Sequence, residues 1–327
     1  MAKKVVFLGM GGTIAGKAQS AQDNVGYKAG QVAVQDLLSA VPGLQLALGD
    51  CEALSEQVCQ IDSKDMAHAD WVALHLRAAH FLALPDVAAV VVTHGTDTLE
   101  ESAYFLSQTL PAELLLHKPV VMTCAMRPAS SLTPDGPANM ADAAAVALSQ
   151  GASGVLVVCA GRVHAAAHVQ KVHPYRVDAF DSGEAGPVGV VEEGRLRLLQ
   201  GWPAISAGAT HLDVEKVQAM GWPRVEILMS HAGADGSLVR ALLTPVQTQR
   251  PLRGLVVAGT GNGTVHREME AALMDAVAQG VRVVRVSRCA YGQIVGGDNA
   301  RAPGGFAAMG LSAVKARIAL MLQLAGQ

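Results

Sequence analysis

The 327-residue chain is long for a single hydrophobic core and points to about two domains. Half of its residues are hydrophobic, few are aromatic, and the formal net charge is -3, a profile that suits tightly packed α/β layers and offers no broad basic field for nucleic acid. No run approaches the ~20 apolar residues of a membrane helix, so the expectation is a soluble protein with a small-molecule partner and no membrane.

Residues 5–8, Val-Val-Phe-Leu, read as a short buried strand running into the glycines of GMGGTIAG. The lysines before it suit a signal peptide, but the apolar run is too short for one, and the segment is read as the first strand of the fold. Residues 16–30 are polar and glycine-punctuated, the composition of a functional lid or of a plain surface loop, with Tyr27 on it. Helical spacing of apolar residues follows over 32–41, ending at Pro42-Gly43, and over 66–84, where Trp71, Leu74, Ala78 and Phe81 mark the buried stripe. A near-continuous apolar strand is expected over 87–93, then a helix over 98–110 with Glu100 and Glu101 in its first turn. Strand, helix and strand recur over 119–124, 139–149 and 155–159.

Alternation of this kind implies a parallel sheet covered on both faces. The pattern turns irregular over 194–210 and resumes with strands at 226–230, 254–258 and 281–286 and helices at 269–278 and 312–324. The fold class is therefore α/β: a larger N-terminal parallel-sheet domain of three layers over residues 1–200, a linker over 201–215, and a smaller C-terminal α/β domain over 216–327. The five cysteines, Cys51, Cys59, Cys124, Cys159 and Cys289, form no CxxC pair, and their odd number argues against a full disulfide framework. Cys124 and Cys159 end apolar strands and read as core thiols, and a reducing cytoplasm fits.

Two motifs carry the chemistry. Thr13 in GMGGTIAG and Thr96-Asp97 in VVVTHGTDTLEES each follow an apolar run and sit among glycines, at strand ends where ligands bind in open α/β sheets. Either alone is explained as a strand-to-helix turn with threonine as a cap, but the pair points to convergence on one pocket. Gly11, Gly16 and Lys17 nearly match a phosphate-binding loop, yet Ala18 stands where a magnesium-binding hydroxyl is needed and the following residues are too polar for a buried helix. A hydroxyl nucleophile needs an activator, for which Asp97 and Lys171 of HVQKVHPYR are candidates; by composition Lys171 is otherwise a surface cation. His94, His164, His168 and His173 have no metal-ligand spacing, and no metal site is expected.

GGTIAG with THGTDTLEESAYFL, followed by KPVVMTCAMRP, DGPAN and AGTGNG, resembles the bacterial-type L-asparaginases across nearly the whole chain. The resemblance implies an amidohydrolase that converts L-asparagine and water to L-aspartate and ammonia through a threonine β-aspartyl acyl-enzyme, with no cofactor, or alternatively a glutaminase-asparaginase. Thr13 would attack, assisted by Tyr27; Thr96, Asp97 and Lys171 would form the second, proton-handling group, with Asp97 also holding the substrate's α-amino group. In QIDSKDM, Ser63 and the backbone of Asp62 would hold the α-carboxylate, with Lys64 where the family often has Gln, and the carbonyl of Ala125 would lie near the amide. The family's neighbouring-subunit Asn and Glu have no counterparts here; Thr264, Asp298 or Asn299 stand in their place. A homotetramer built as a dimer of dimers is implied. A non-catalytic relative or an amidotransferase-associated subunit acting on aminoacyl-tRNA is a further alternative.

Overall fold

The computed structural model describes residues 2–205, 212–244, 250–296 and 306–327. The chain divides into two compact units, Met1–His211 and Leu212–Gln327.

The N-terminal unit contains strands β1 (Lys4–Gly11), β2 (Glu52–Ile61), β3 (Val87–Thr93), β4 (Val120–Thr123), β5 (Val155–Cys159), β6 (Arg162–Ala165), β7 (Gln170–Lys171), β8 (Phe180–Asp181), β9 (Gly189–Glu192) and β10 (Arg195–Leu198). Its helices are α1 (Val34–Ser39), α2 (Leu44–Leu48), α3 (His68–Ala83), α4 (Leu99–Thr109), α5 (Ala112–Leu115) and α6 (Gly136–Ala147). Eight strands form one sheet in the order β10-β9-β6-β5-β4-β3-β1-β2. From β2 to β5 every neighbouring pair is parallel. Strands β1, β3, β4 and β5 are apolar almost without interruption because both faces are covered. On one face Val5, Phe7, Ala89, Val91 and Val121 pack with Val34, Leu37, Met140, Ala143 and Ala144 of α1 and α6. The alternate residues Val6, Leu8, Val90, Val92 and Met122 are also fully buried, and α3 and α4 lie against β3 and β5.

Four expectations need correction. The sheet is parallel only from its β2 edge to β5; beyond that, β5, β6, β9 and β10 each run antiparallel to the next. The cause is local: both two-residue connections, Ala160-Gly161 and Glu193-Gly194, have positive φ at each residue (50° and 70°, 49° and 69°), the backbone of type I′ hairpins. Strand β10 also lies within the stretch expected to be irregular. The helix expected over 32–41 is shorter, Val34–Ser39, and β2 occupies a segment for which no strand was expected; it is an edge strand, half-exposed along most of its length.

The C-terminal unit is a four-stranded parallel sheet, β11 (Arg224–Met229), β12 (Leu252–Gly259), β13 (Arg282–Ser287) and β14 (Ala307–Ala308), with neighbours in that order. Helices α7 (Val214–Met220), α8 (Ser237–Leu243), α9 (Arg267–Ala278) and α10 (Ala313–Ala325) accompany it. Its core joins Leu255, Val257 and Val283 to Met269, Ala272 and Leu273 of α9. No described helix is long and apolar enough to cross a membrane.

Candidate active site

Strands β1 and β3 run side by side with Gly9 level with Thr93, so both deliver their following turns to the same edge of the sheet. After β1 the chain passes Gly12 at φ 82° and closes a three-residue 3-10 turn, Thr13–Ala15. After β3 it passes His94 and Gly95 to reach Thr96 and Asp97 ahead of α4. The two turns meet backbone to backbone: a methyl group on Gly12 would overlap the Cα and N of Gly95, and one on Gly95 would collide with Ser63 Oγ. Only glycine permits both the φ at Gly12 and this approach. Thr13, Ser63 and Thr96, all buried, are thereby held in three adjoining turns.

Each threonine has its own partners. Thr13 Oγ1 lies 2.6 Å from Tyr27 Oη, a pair in which either hydroxyl can donate. Lys171 Nζ donates to Thr96 Oγ1 at 2.8 Å and to Asp97 Oδ1 at 2.6 Å. Lys171 comes from the short ribbon of β7 and β8, 75 residues along the chain, and its backbone N–H donates to Glu100 Oε1 of α4. Its side chain is mostly buried, whereas that of Asp97 is half-exposed. The phenol of Tyr27 has its pKa raised by burial, against the opposing effect of its bond to Thr13, and the negative charges of Asp62 and Asp97 raise it further. It therefore remains a neutral phenol at pH 7.

Ser63 begins a second 3-10 turn, Ser63–Asp65. Its Oγ accepts from the Asp97 N–H (3.2 Å) and its carbonyl accepts from Thr98 Oγ1 (2.8 Å), which ties this turn to the Thr96 turn. Accepting the Asp97 bond leaves the Ser63 hydroxyl hydrogen to donate in a second direction. Asp62 receives the Lys64 N–H on its side chain. Lys64 is mostly exposed and pairs with Asp65 and, at 3.8 Å, with Asp62, so its charge is partly answered by its own neighbours.

Ala125 is fully buried just beyond β4. The residues that hold its neighbours come from the DGPAN segment, residues 135–139. Asp135 stands at the N-cap of α6, with Pro137 behind it, yet its carboxylate does not cap that helix. It accepts the N–H groups of Met126 and Arg127 at 2.9 Å each. Asn139 donates to the Cys124 carbonyl (2.9 Å) and accepts from the Ala160 N–H (2.9 Å), pinning the ends of β4 and β5 together. The signal in the sequence is the Asp-Gly-Pro helix start at 135–137, six residues beyond CAMRP.

The Tyr27 loop has structure of its own. Lys17 and Lys28 bridge its two limbs, and the Gly30 N–H donates to the Gly12 carbonyl at its base. Ser130 Oγ accepts from the Ala18 N–H (2.8 Å), and the Leu132 N–H donates to the Ala21 carbonyl (3.0 Å). The phosphate-loop reading fails here, because the turn after Gly12 is followed by this loop and not by a helix whose N–H groups could face a phosphate; the next helix begins at Val34. In the C-terminal unit, Thr264 is exposed and its hydroxyl is engaged with Thr260, 2.8 Å from Thr260 Oγ1. Asp298 and Asn299 lie outside the described residues.

Two family models match this chain, "Asparaginase, N-terminal" over residues 4–203 and "Glutaminase/Asparaginase C-terminal domain" over residues 224–327. The chain belongs to the asparaginase family. It is 35% identical over 320 residues to "L-asparaginase 2" of Bacillus subtilis (strain 168), covering 97% of this chain and 81% of the relative. It is also 35% identical to "L-asparaginase 2" of Escherichia coli (strain K12), over 98% of this chain and 88% of the relative. A "Glutaminase-asparaginase" of Pseudomonas fluorescens biotype A is 34% identical over 89% of this chain and 77% of its own length. Among solved structures, a probable cytoplasmic L-asparaginase from Campylobacter jejuni superposes with a TM-score of 0.87 at 32% identity, covering 99% of this chain and 96% of that one.

Proposed function

We propose that this member of the asparaginase family is an amidohydrolase that converts L-asparagine and water to L-aspartate and ammonia. The observation that carries the reading is the backbone contact of Gly12 with Gly95, which sets a Thr13–Tyr27 pair beside a Thr96–Asp97–Lys171 group. In the first half-reaction Thr13 Oγ attacks the side-chain amide carbon while its proton moves toward Tyr27. The C–N bond then breaks and ammonia leaves with the added proton, so that an ester to Thr13 remains. In the second, water attacks the ester, the proton it loses is handled by the Thr96–Asp97–Lys171 group, and aspartate departs as Thr13 regains its hydrogen.

Ser63 and the Asp62 backbone would receive the α-carboxylate, Asp97 the α-amino group, and the Ala125 carbonyl the amide. Relatives named for asparaginase and for glutaminase-asparaginase support both amides as substrates, and one methylene in a pocket is worth only about 1–3 kcal/mol. We further propose a homotetramer acting in the cytoplasm without a cofactor, with residues 201–215 as the linker between the chain's two domains. Ammonia release measured with asparagine and glutamine at matched low concentrations tests the activity. No release from either amide refutes it, and equal kcat/KM for the two selects the broader enzyme. Light scattering of the purified protein tests the tetramer.

A further inference from the structure

His94 stands between β3 and Thr96, and its side chain is wholly buried. Its Nδ1 lies 2.7 Å from the Gly95 carbonyl and its Nε2 lies 2.9 Å from Ser102 Oγ of α4. Ser102 Oγ in turn lies 2.9 Å from Trp71 Nε1 of α3, which is stacked on Phe105 at 5.0 Å between ring centres. The direction of every bond in this chain follows from chemistry. The indole N–H can only donate, so Ser102 Oγ accepts from Trp71, and toward a neutral His94 ring protonated on Nδ1 it turns its own hydrogen to Nε2. A carbonyl oxygen can only accept, so the imidazole proton sits on Nδ1. Burial lowers the His94 pKa to about 4, with its bond to the Gly95 carbonyl acting the other way. With both ring nitrogens committed, neither reaches out to a ligand.

The far end of the chain is the peptide that leads into Thr96. Gly95 is the residue pressed between Gly12 and Ser63, and a planar peptide fixes the Thr96 N–H once its carbonyl is fixed. We infer that His94 is a positioning residue, a neutral imidazole that holds the Gly95 carbonyl and so aims the Thr96 hydroxyl at Lys171 and Asp97. It relays the packing of α3 and α4 to the site and exchanges no proton during turnover. This rests on the reading of Thr96 as a reacting group.

The test compares His94→Asn with His94→Leu and Ser102→Ala, assayed as ammonia release from asparagine. The amide nitrogen of Asn lies as many bonds from Cα as Nδ1 does and restores the bond to the Gly95 carbonyl, whereas Leu offers none. His94→Leu should lower kcat about 30-fold with KM within about threefold, and His94→Asn should recover most of that loss. Ser102→Ala should fall between them. In the unmodified protein, nitrogen-15 NMR of histidine-labelled enzyme should show one ring, missing from His94→Asn, with Nδ1 protonated and Nε2 bare from pH 5.5 to 8.5.

An Asn variant that melts like the parent and is as slow as the Leu variant overturns the inference. So does a proton found on Nε2, or a limb of the kcat profile that vanishes in His94→Asn. If His94→Leu fails to fold, the Asn variant and the NMR tautomer still decide. Thr96→Ala separates the two readings: full activity there refutes the role of Thr96 itself, while an inactive Thr96→Ala beside a normal His94→Leu refutes only the role of His94.

Discussion

The two threonines share an edge of the sheet but are built in opposite ways. Thr13 finds its partner 14 residues away, on a loop that is tied down by a bridge of its two limbs and by bonds to Ser130 and Leu132. Thr96 finds Lys171 across 75 residues, on a ribbon tied to α4, and is backed from beneath by buried side chains of two helices. One group is assembled by a surface segment and the other by the fold. Perturbing the loop should therefore act on the Thr13 half alone, whereas the Thr96 half should respond to changes deep in the domain.

The largest effects test whether both halves are needed. Thr13→Ala and Thr96→Ala should each reduce kcat by about 10³ to 10⁴, with melting temperatures close to the parent, because neither hydroxyl supports packing. Rapid quenching should reveal no acyl-enzyme in Thr13→Ala; an intact burst there would contradict its role as nucleophile. Lys171→Met should cost about 10³, since it removes the charge that reaches both Thr96 and Asp97 and leaves the Met stem to fill the same space. Tyr27→Phe should be milder, about 10²-fold in kcat, because the ring still packs against Gly16 while the proton route is cut. If Tyr27→Phe proved as severe as Lys171→Met, the loop would be as indispensable as the fold and the contrast would collapse.

A fourth prediction sharpens the contrast through pH. His94 titrates near 6.5 in an unfolded chain and near 4 in the folded one, so below pH 6.5 the unfolded state binds the extra proton. Stability that is present at pH 7 is lost as pH falls from 6.5 toward 4, by roughly 2 kcal/mol at pH 5. Urea titrations at pH 7 and pH 5 should show this share of the acid sensitivity disappear in His94→Asn. His75, buried between α3 and α4 and lowered to about 4, should leave a similar share in place. The smallest effect belongs to the loop latch: Ser130→Ala should raise KM a few-fold with little change in stability, because it removes one half-buried bond to the Ala18 N–H.

The central strands could be read directly from residues because burial on both faces leaves almost only apolar side chains in β1, β3, β4 and β5. The edges could not. Strand β2 mixes polar and apolar positions, and β6, β9 and β10 are four residues each, too short for a period to emerge. Their hairpins place Ala160 and Glu193 at positive φ, residues that do not advertise such a turn. At the site, the glycine turns that carry Thr13 and Thr96 stood out from composition and spacing. The pairing of Lys171 with Thr96 did not, since it depends on a ribbon fold that no local pattern announces; the residues alone made Lys171 a candidate activator, and resemblance grouped it with Thr96. Asp135 was hidden for another reason, because an acidic residue before Gly-Pro looks like a helix cap and instead receives two N–H groups from the segment upstream.

The meeting of Gly12 and Gly95 has a further meaning for how this site can vary. Two main chains in contact form a ruler that cannot be shortened, and any side chain at either position would force them apart. The interval between the Thr13 turn and the Thr96 turn is thus a constant of the fold, closed to gradual adjustment by substitution. Changes of substrate among relatives that keep this contact must then be written elsewhere, in the Tyr27 loop, around Lys64, or in the segment held by Asp135, where side chains and not backbones set the distances.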